Sequence, residues 1–284
     1  MPRASSARKS AVPPASAASA AAAPADDGDT DRQFANTLAR GLQVLSCFTA
    51  ADPILTNKDI AARTGLARPT VSRLTYTLTR LGYLRHHPRL GKYGKYELGT
   101  AVLSLAHPLL ANISVRQIAR LPMKELADYA GGWVSLGVRE RLNMVYIETA
   151  RSRATQQVTP DIGQTFPIVV SAMGRAYLAA VPSREREALI NQLQVKTPEL
   201  WRAHAEHVEQ GLQDYIEHGF CVGRGDYHPK THTVAVPLRR ASGDVMVFNC
   251  AVRVDNLAPG ALENDLGPRL AQMVRSIESA LDQE

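Results

Sequence analysis

Basic side chains that could bind phosphate groups are concentrated in one part of this 284-residue sequence. The segment 32–97 carries eleven Lys and Arg against three acidic residues, whereas the formal net charge of the whole chain is only +6. A surface that neutralises the phosphates of a nucleic acid has this charge distribution. A solvated surface without a partner can have it too, so the charge count alone leaves both interpretations open.

Apolar spacing predicts the elements that would position these charges. It indicates helices over 34–48, 57–64 and 67–82, the third with a Pro in its first turn. Two short strands, 83–85 and 95–98, then flank a basic loop that contains Pro and Gly. This order of elements is typical of a winged helix-turn-helix, whose third helix enters the major groove of DNA.

The phase of the third helix separates inward from outward side chains. The helix carries an apolar stripe of Val71, Leu74, Leu78 and Leu81, and the first three of these are predicted to pack on the first two helices. Arg73, which lies between them, can donate two hydrogen bonds to guanine, whereas most other basic residues suit phosphates, which position a protein without specifying a sequence. The residues predicted to bind DNA are Thr56, Lys58, Arg68, Thr70, Ser72, Arg73, Tyr76, Arg89, Lys92 and Lys95.

The second half of the chain, residues 113–284, alternates helical and strand patterns. Two hairpin-like pairs, one within 133–148 and one within 233–254, are surrounded by helical segments. This pattern predicts an antiparallel sheet with helices packed on it, so the fold class is predicted to be α+β. A helix predicted over 100–110 links the halves and carries an apolar stripe that a second copy of the chain could cover.

Each half of the sequence contains its own set of short motifs. In the first half they are Ile60-Ala-Ala-Arg-Thr-Gly-Leu66, Thr70-Val-Ser-Arg-Leu74, Leu81-Gly-Tyr-Leu84 and Tyr96-Glu-Leu-Gly99. In the second half they are Gly163-x-x-x-Pro167, Ser171-Ala-Met-Gly-Arg-Ala-Tyr-Leu-Ala179, Gly219-Phe220 and Ala235-Val-Pro237. Each motif is weak by itself, but their order and spacing together are specific. With these motifs the chain resembles the IclR-type transcription regulators over residues 34–281.

Composition and this resemblance together imply the organisation of the chain. Residues 1–31, rich in Ala, Pro and Ser, are predicted to be a disordered tail. They precede a winged helix-turn-helix DNA-binding domain over 32–99, a linker helix over 100–112, and an effector-binding and oligomerisation domain over 113–284. We expect a homodimer or a dimer of dimers that binds a palindromic double-stranded DNA operator and a small-molecule effector, as a repressor or an activator.

In the resembled family, the effector pocket lies between the sheet and the loops around it. Carried onto this sequence, it is lined by Ser171, Ala172, Met173, Asp226, His228, His232, Asn249 and Cys250, with Trp133 and Tyr146 as walls. Two departures stand out. Lys230 occupies the position of a family Gly, and Cys250 and Val252 align with a Ser-x-Ser pair that often lines the pocket. The identity of the effector therefore does not transfer from the family to this chain.

Cationic side chains around the expected pocket favour an anionic effector. The residues that would make its mouth electropositive are Arg151, Arg153, His228, Lys230 and His232. A carboxylate is the ligand that such a set of groups favours. The alternative interpretation is that the cations are solvated loop residues and that the histidines form hydrogen bonds at the surface.

The sequence gives no support to other classes of function. It has no G-x-S-x-G, no Gly-rich phosphate loop and no H-E-x-x-H, so we expect neither an enzyme nor a cofactor. His204 and His207 have a spacing that suits zinc but lack a third ligand, so no metal is expected. No apolar run is long enough to span a membrane, and three scattered Cys indicate a reducing cytoplasm. A ligand-free architectural DNA-binding protein remains the alternative, and a cavity beside the sheet would count against it.

Overall fold

The computed structural model describes residues 34–90, 94–153 and 160–283. The predicted tail, 1–31, and Lys92 of the predicted basic loop lie outside the described residues. The chain divides into two compact units between Leu109 and Leu110, a point within the segment predicted to be a linker helix. No helix in the described part of the chain is long and apolar enough to cross a membrane.

The first unit contains three helices, a two-stranded antiparallel sheet and most of a further helix. Its elements are α1 (Asn36–Leu45), α2 (Asn57–Thr64), α3 (Arg68–Arg80), β1 (Leu84–His87), β2 (Lys95–Leu98) and α4 (Ala101–Ala111), of which the last two residues belong to the second unit. Gly65, with a φ of 70°, makes the left-handed turn that ends α2. Val44, Ile60, Val71 and Leu84 from the first three helices and β1 form its core. The predicted winged helix-turn-helix arrangement is therefore present.

Two details of the first unit differ from the helical pattern in the sequence. Helix α1 is shorter than the predicted 34–48, because the chain leaves the helix after Leu45 and Phe34 precedes its first turn. Leu81, the last residue of the apolar stripe, is 61% exposed. It lies just beyond α3, which ends at Arg80.

The second unit is built on one antiparallel sheet of six strands in the order β5-β4-β3-β8-β7-β6. Its strands are β3 (Trp133–Glu140), β4 (Asn143–Arg151), β5 (Thr165–Pro167), β6 (Cys221–Arg224), β7 (Thr231–Arg239) and β8 (Val245–Arg253). Its helices are α5 (Ser114–Ala130), α6 (Ala172–Ala180), α7 (Ser183–Lys196), α8 (Pro198–His218) and α9 (Gly267–Leu281). A π-helical turn, Leu262–Leu266, leads into α9. The unit is of the predicted α+β class, although the short edge strands β5 and β6 were not predicted.

Helices cover both faces of this sheet, and each face has its own apolar core. On one, here called the α5/α9 face, Leu136 and Phe248 pack with residues of α5 and α9 such as Met123 and Leu270. On the other, here called the α6 face, Tyr146 and other strand residues pack with α6 and α8. Because successive strand residues point to opposite faces, the position of a residue along its strand determines the core to which it belongs.

A bulge interrupts this alternation at one point. Leu136 and Gly137 are neighbours in β3, but they pair with Glu148 and Tyr146 in β4, so that Ile147 is the extra residue. Ile147 and Glu148 therefore both lie on the α5/α9 face. Tyr146 lies on the α6 face, as does Thr149, whose hydroxyl is 3.1 Å from that of Ser135.

Helix α6 begins where the backbone leaves no space for a side chain. A Cβ atom added to Gly174 would lie 2.0 Å from the carbonyl oxygen of Ile168. We expect Gly174→Ala to lower the free energy of unfolding of the second unit by about 1 to 3 kcal/mol, as other overpacking substitutions do.

Gly41→Ala is the matched control for this substitution. Gly41 lies within α1 and its nearest neighbour would be 4.0 Å away, so the added methyl should stabilise the first unit by about 0.5 to 1 kcal/mol. Thermal unfolding of both variants measures the two effects. Equal stability of the Gly174→Ala variant and the parent would contradict the close approach.

Candidate DNA-binding surface and effector site

The outward side of α3 presents side chains that could contact DNA bases. Ser72, Arg73 and Tyr76 are exposed, and Tyr76 is 67% exposed although it is a large aromatic residue. Arg68 is exposed at the start of the same helix, and Thr70 is half-buried. Within 34–90 and the other described ranges, Arg68 and Arg73 form no ion pair, so both guanidinium groups are available to an outside partner. This helix places the predicted base-reading residues together.

A hydrogen-bonded network connects the start of α2 to α3. The Asn57 side-chain amide donates to the Ser72 hydroxyl at 3.1 Å, and the hydroxyl of Thr75 donates to Asn57 Oδ1 at 3.2 Å. Thr75 is fully buried, whereas Ser72 is exposed and keeps the capacity to donate to DNA. Sequence analysis missed Asn57, because no local pattern shows that a residue at the start of one helix reaches the next.

The predicted phosphate-binding residue Thr56 has a structural partner. Its hydroxyl accepts a hydrogen bond from the Asp59 backbone amide, and the Asp59 carboxylate accepts from the Thr56 backbone amide and hydroxyl. This is a capping box, and the hydrogen bonds from Thr56 lower the pKa of the Asp59 carboxyl. The neighbouring Lys58 is exposed and suited to a phosphate.

The wing carries the remaining predicted contacts. Arg89 is exposed beyond β1, and Lys95 is half-buried in β2, where it pairs with His87. Glu97 in β2 is 3.1 Å from Arg85 and from His87 and so neutralises part of the charge. Arg89 and Lys95 are therefore the described basic residues of the wing left for a phosphate.

In the second unit, several of the predicted effector residues meet on the α6 face. Trp133, Tyr146 and Asn249 lie on this face of the sheet, and Ala172 and Met173 of α6 pack against it. The Met173 sulfur would be 2.5 Å from a Cβ atom at Gly137, so α6 lies directly over the strand. Ser135, Thr149 and Thr233 share the face and were missed, although alternation along the strands could have found them.

The positions of Cys250 and His232 correct the prediction for the effector site. Cys250 is fully buried on the α5/α9 face, where burial raises the pKa of its thiol to about 12. His232 lies two residues before Val234 in β7, so both side chains point to the α5/α9 face. Thr233, which lies between them, points to the α6 face. The predicted pairing of Asn249 with Cys250 in one pocket fails because adjacent strand residues point to opposite faces. Asn249 and Ala251, rather than Cys250 and Val252, occupy the α6 face of β8.

The hydrogen bonds of Asn249 on this face are incomplete, as are those of Arg175 in α6, whose Nε and Nη1 have no partner among the described residues. The Asn249 side chain is 4% exposed, and its Oδ1 accepts no hydrogen bond from any residue that the structure describes. The Asn249 amide is hydrogen-bonded to the Tyr146 hydroxyl, whose pKa is raised, chiefly by burial. The face therefore contains a buried acceptor next to a neutral phenol.

Other predicted effector residues have partners within the protein. Ser171 caps α6 by accepting a hydrogen bond from the Gly174 amide at 3.0 Å. Asp226 accepts a hydrogen bond at 2.6 Å from Arg175, which is 1% exposed and also donates to the Val222 carbonyl. The exposed His228 ring lies edge-on to a neighbouring tyrosine at 4.5 Å. The negative charge of Asp226 is thus balanced by Arg175 within the protein.

Of the exposed cations expected at the mouth of the site, Arg151 lies on the α6 face, because it ends β4 and pairs with Trp133. The Arg153 backbone amide instead donates to Asp128 of α5, the helix on the opposite face, and Lys230 is exposed in the loop that follows β6. In the described ranges, no group of three or more His, Cys, Asp and Glu could hold a metal ion.

Comparison with known proteins gives matches over both units. The sequence model of the "Bacterial transcriptional regulator IclR C-terminal" domain matches residues 107–282, and that of the "IclR helix-turn-helix domain" matches 37–88. The HTH-type transcriptional regulator TsaQ1/TsaQ2 of Comamonas testosteroni is 32% identical over 87% of this chain and 89% of its own. The Pca regulon regulatory protein of Pseudomonas putida is 28% identical over 94% of this chain and 90% of its own.

A solved structure has the same architecture. The crystal structure of an IclR family transcriptional regulator from Brucella abortus has a TM-score of 0.80 and 42% sequence identity, covering 88% of this chain and 94% of that chain. These relatives are transcriptional regulators rather than enzymes, in agreement with the absence of a catalytic motif from the sequence. With a helix-turn-helix unit joined to an α+β unit and matches over both, the chain belongs to the IclR family of bacterial transcriptional regulators.

Proposed function

We propose that this protein binds a palindromic double-stranded operator in the cytoplasm as a homodimer or a dimer of dimers, and that a small carboxylate effector modulates this binding. Residues 32–99 serve as the DNA-binding domain, 100–112 as the linker and 113–284 as the effector-binding and oligomerisation domain. The outcome at a promoter is repression or activation, depending on where the operator lies.

The DNA-binding half of the proposal is supported by α3. Arg73 and Tyr76 project from the middle of one exposed helix face, where a recognition helix contacts base edges. Lys58, Arg68 and Arg89 are exposed around them and suit phosphates. In a two-fold symmetric dimer these helices read half-sites about 10 bp apart, or a multiple of it.

The effector half of the proposal is carried by the open acceptor of Asn249. A buried polar atom without a partner costs about 1 to 3 kcal/mol, so such atoms in native proteins call for an explanation. A ligand that donates a hydrogen bond from a hydroxyl or amino group would satisfy Asn249 Oδ1. Tyr146 and Trp133 supply aromatic surface for the body of the ligand, and Arg151 supplies a charge that suits a carboxylate.

A structural neighbour supplies a probe with both groups. An IclR homolog from Microbacterium hydrocarbonoxydans, 20% identical to this chain with a TM-score of 0.68, was solved in complex with 4-hydroxybenzoate. This compound combines a carboxylate with a hydroxyl donor, the two features that the α6 face calls for. We therefore use it as the first member of an effector panel.

The carboxylate requirement is tested by thermal unfolding of the full chain against 4-hydroxybenzoate, other aromatic and aliphatic carboxylates, and their amides. A carboxylate at 100 times its dissociation constant should stabilise the protein by about 2.7 kcal/mol. The matching amide should not, because it lacks the charge. Stabilisation by the amide alone would contradict an anionic effector, and no shift with any compound would favour the ligand-free architectural function.

The role of Asn249 is tested by Asn249→Ala beside Cys250→Ala. Loss of the acceptor should reduce affinity for the stabilising carboxylate by about tenfold or more, the effect of removing one hydrogen bond to a ligand. Cys250→Ala is the matched control, because the adjacent residue lies on the opposite face and should leave ligand affinity unchanged while lowering stability. Calorimetric titration measures both. Equal loss of affinity in the two variants would point to a general defect of β8.

The reading helix is tested by Arg73→Ala and Tyr76→Ala. Each should cost about 1 to 3 kcal/mol of binding to an operator selected from a random duplex library, with little loss on unrelated DNA. Lys58→Ala should instead weaken binding to all DNA alike and lower the salt slope by about one. Titration by fluorescence anisotropy at several salt concentrations separates the two patterns. Unchanged operator preference in both α3 variants would show that another element reads the bases.

A further inference from the structure

A buried ion pair lies where the second unit receives the chain from the linker helix. Arg116 and Glu148 are each 8% exposed, and Arg116 Nη2 is 3.0 Å from Glu148 Oε2. Arg116 Nη1 donates to the Leu110 carbonyl at 2.6 Å. One guanidinium group of α5 thus holds both strand β4 and the last turn of α4.

We infer that Arg116 and Glu148 are positioning residues for operator binding, because they fix the end of α4 against the sheet and so set the spacing of half-sites that the dimer accepts. This inference rests on the proposed binding to a palindromic operator. In this inference the pair acts from within the second unit, through its hold on Leu110, the residue with which that unit begins.

The contact with Leu110 is suited to hold a helix end. The last carbonyl groups of a helix have no partner within the helix, and α4 ends at Ala111. A cation at this end is also favoured by the helix dipole. The Leu110 side chain packs on the core of the α5/α9 face, so the final turn of α4 is held by its carbonyl and by its side chain. A fork of two N–H donors can hold two acceptors at a fixed angle, which an ammonium group does not.

Stability alone does not account for a charged pair at this point. Burying an ion pair stabilises a fold about as much as a well-packed apolar pair does, or less. The pair instead fixes the position of Leu110 relative to β4. Moving either partner away would leave a buried charge without its counter-charge. The bulge in β4 contributes to this arrangement, since Ile147 is the extra residue that turns Glu148 away from the α6 face and towards α5.

Arg120 provides a matched control within the same helix. Its Nε is 3.1 Å from the same Glu148 Oε2, but its side chain is 62% exposed. Among the hydrogen bonds of the described residues, the Leu110 carbonyl accepts from Arg116 and the Arg120 side chain donates to Glu148. Arg120→Ala therefore removes a surface charge from Glu148 and leaves the connection to α4 intact.

The test compares the affinity of full-length variants for a selected operator and for the same duplex with two base pairs inserted between the half-sites. The insertion turns one half-site by about 70° around the helix axis, because DNA repeats every 10 to 10.5 base pairs. The parent and Arg120→Ala should each lose about tenfold or more in affinity. Arg116→Met should lose less than about threefold, because a released α4 lets the reading helices reach the shifted site.

A double variant keeps the test independent of folding. Arg116→Met alone leaves the Glu148 charge buried, whereas Arg116→Met with Glu148→Leu removes both charges and should unfold close to the parent's temperature. It should still tolerate the insertion. Retention of the parent's discrimination by the double variant, or its loss in Arg120→Ala, overturns the inference about Arg116. A parent that selects no paired half-sites overturns the proposed operator as well.

Discussion

The period of two along a strand is the constraint on which the second unit depends, because helices cover both faces of its sheet. Each strand residue then serves one face, and neighbours in a regular strand point to opposite faces. Asn249 turns a polar group towards α6, while Cys250 fills the apolar core beneath α5 and α9. The bulge in β4 is the exception, because it places the neighbours Ile147 and Glu148 on the same face. Without it, Glu148 would face α6 and lose Arg116.

Each face of the sheet has a buried polar atom without a hydrogen-bond partner among the described residues: Arg116 Nε on the α5/α9 face and Asn249 Oδ1 on the α6 face. On the α5/α9 face, Glu148 is paired with two arginines. On the α6 face, Ser135 and Thr149 are paired with each other, and Asn249 keeps an open acceptor. An unsatisfied buried group reduces stability, so a ligand that satisfies it gains affinity from the same term. In the proposed function, Asn249 Oδ1 is the atom that a ligand would satisfy, whereas the guanidinium group of Arg116 already has partners in Glu148 and Leu110.

Spacing in the sequence was sufficient to predict the fold class, the helix-turn-helix and the long helices, because these depend on patterns of ten or more residues. It was insufficient for β5 and β6, which have three and four residues and show little alternation. The errors at Cys250 and His232 came from aligning the chain with a family pattern without the strand phase. Asn57 and Glu148 were missed because their partners are 15 or more residues away, and local patterns carry no information about such contacts.

In the first unit, too, internal contacts determine which side chains remain available to a partner. Helix α3 is held by contacts that leave its outward side free: Asn57 reaches Ser72 and Thr75 from α2, and the capping box fixes where α2 begins. If α3 is the reading helix, as proposed, it is arranged before DNA arrives, and less ordering entropy is lost on binding. The proposal gives the basic residues of α2, α3 and the wing the part of the affinity that depends on salt but not on sequence. Affinity and specificity would then rest on different side chains, so that a change in the placement of α3 would alter operator choice without altering general attraction to DNA.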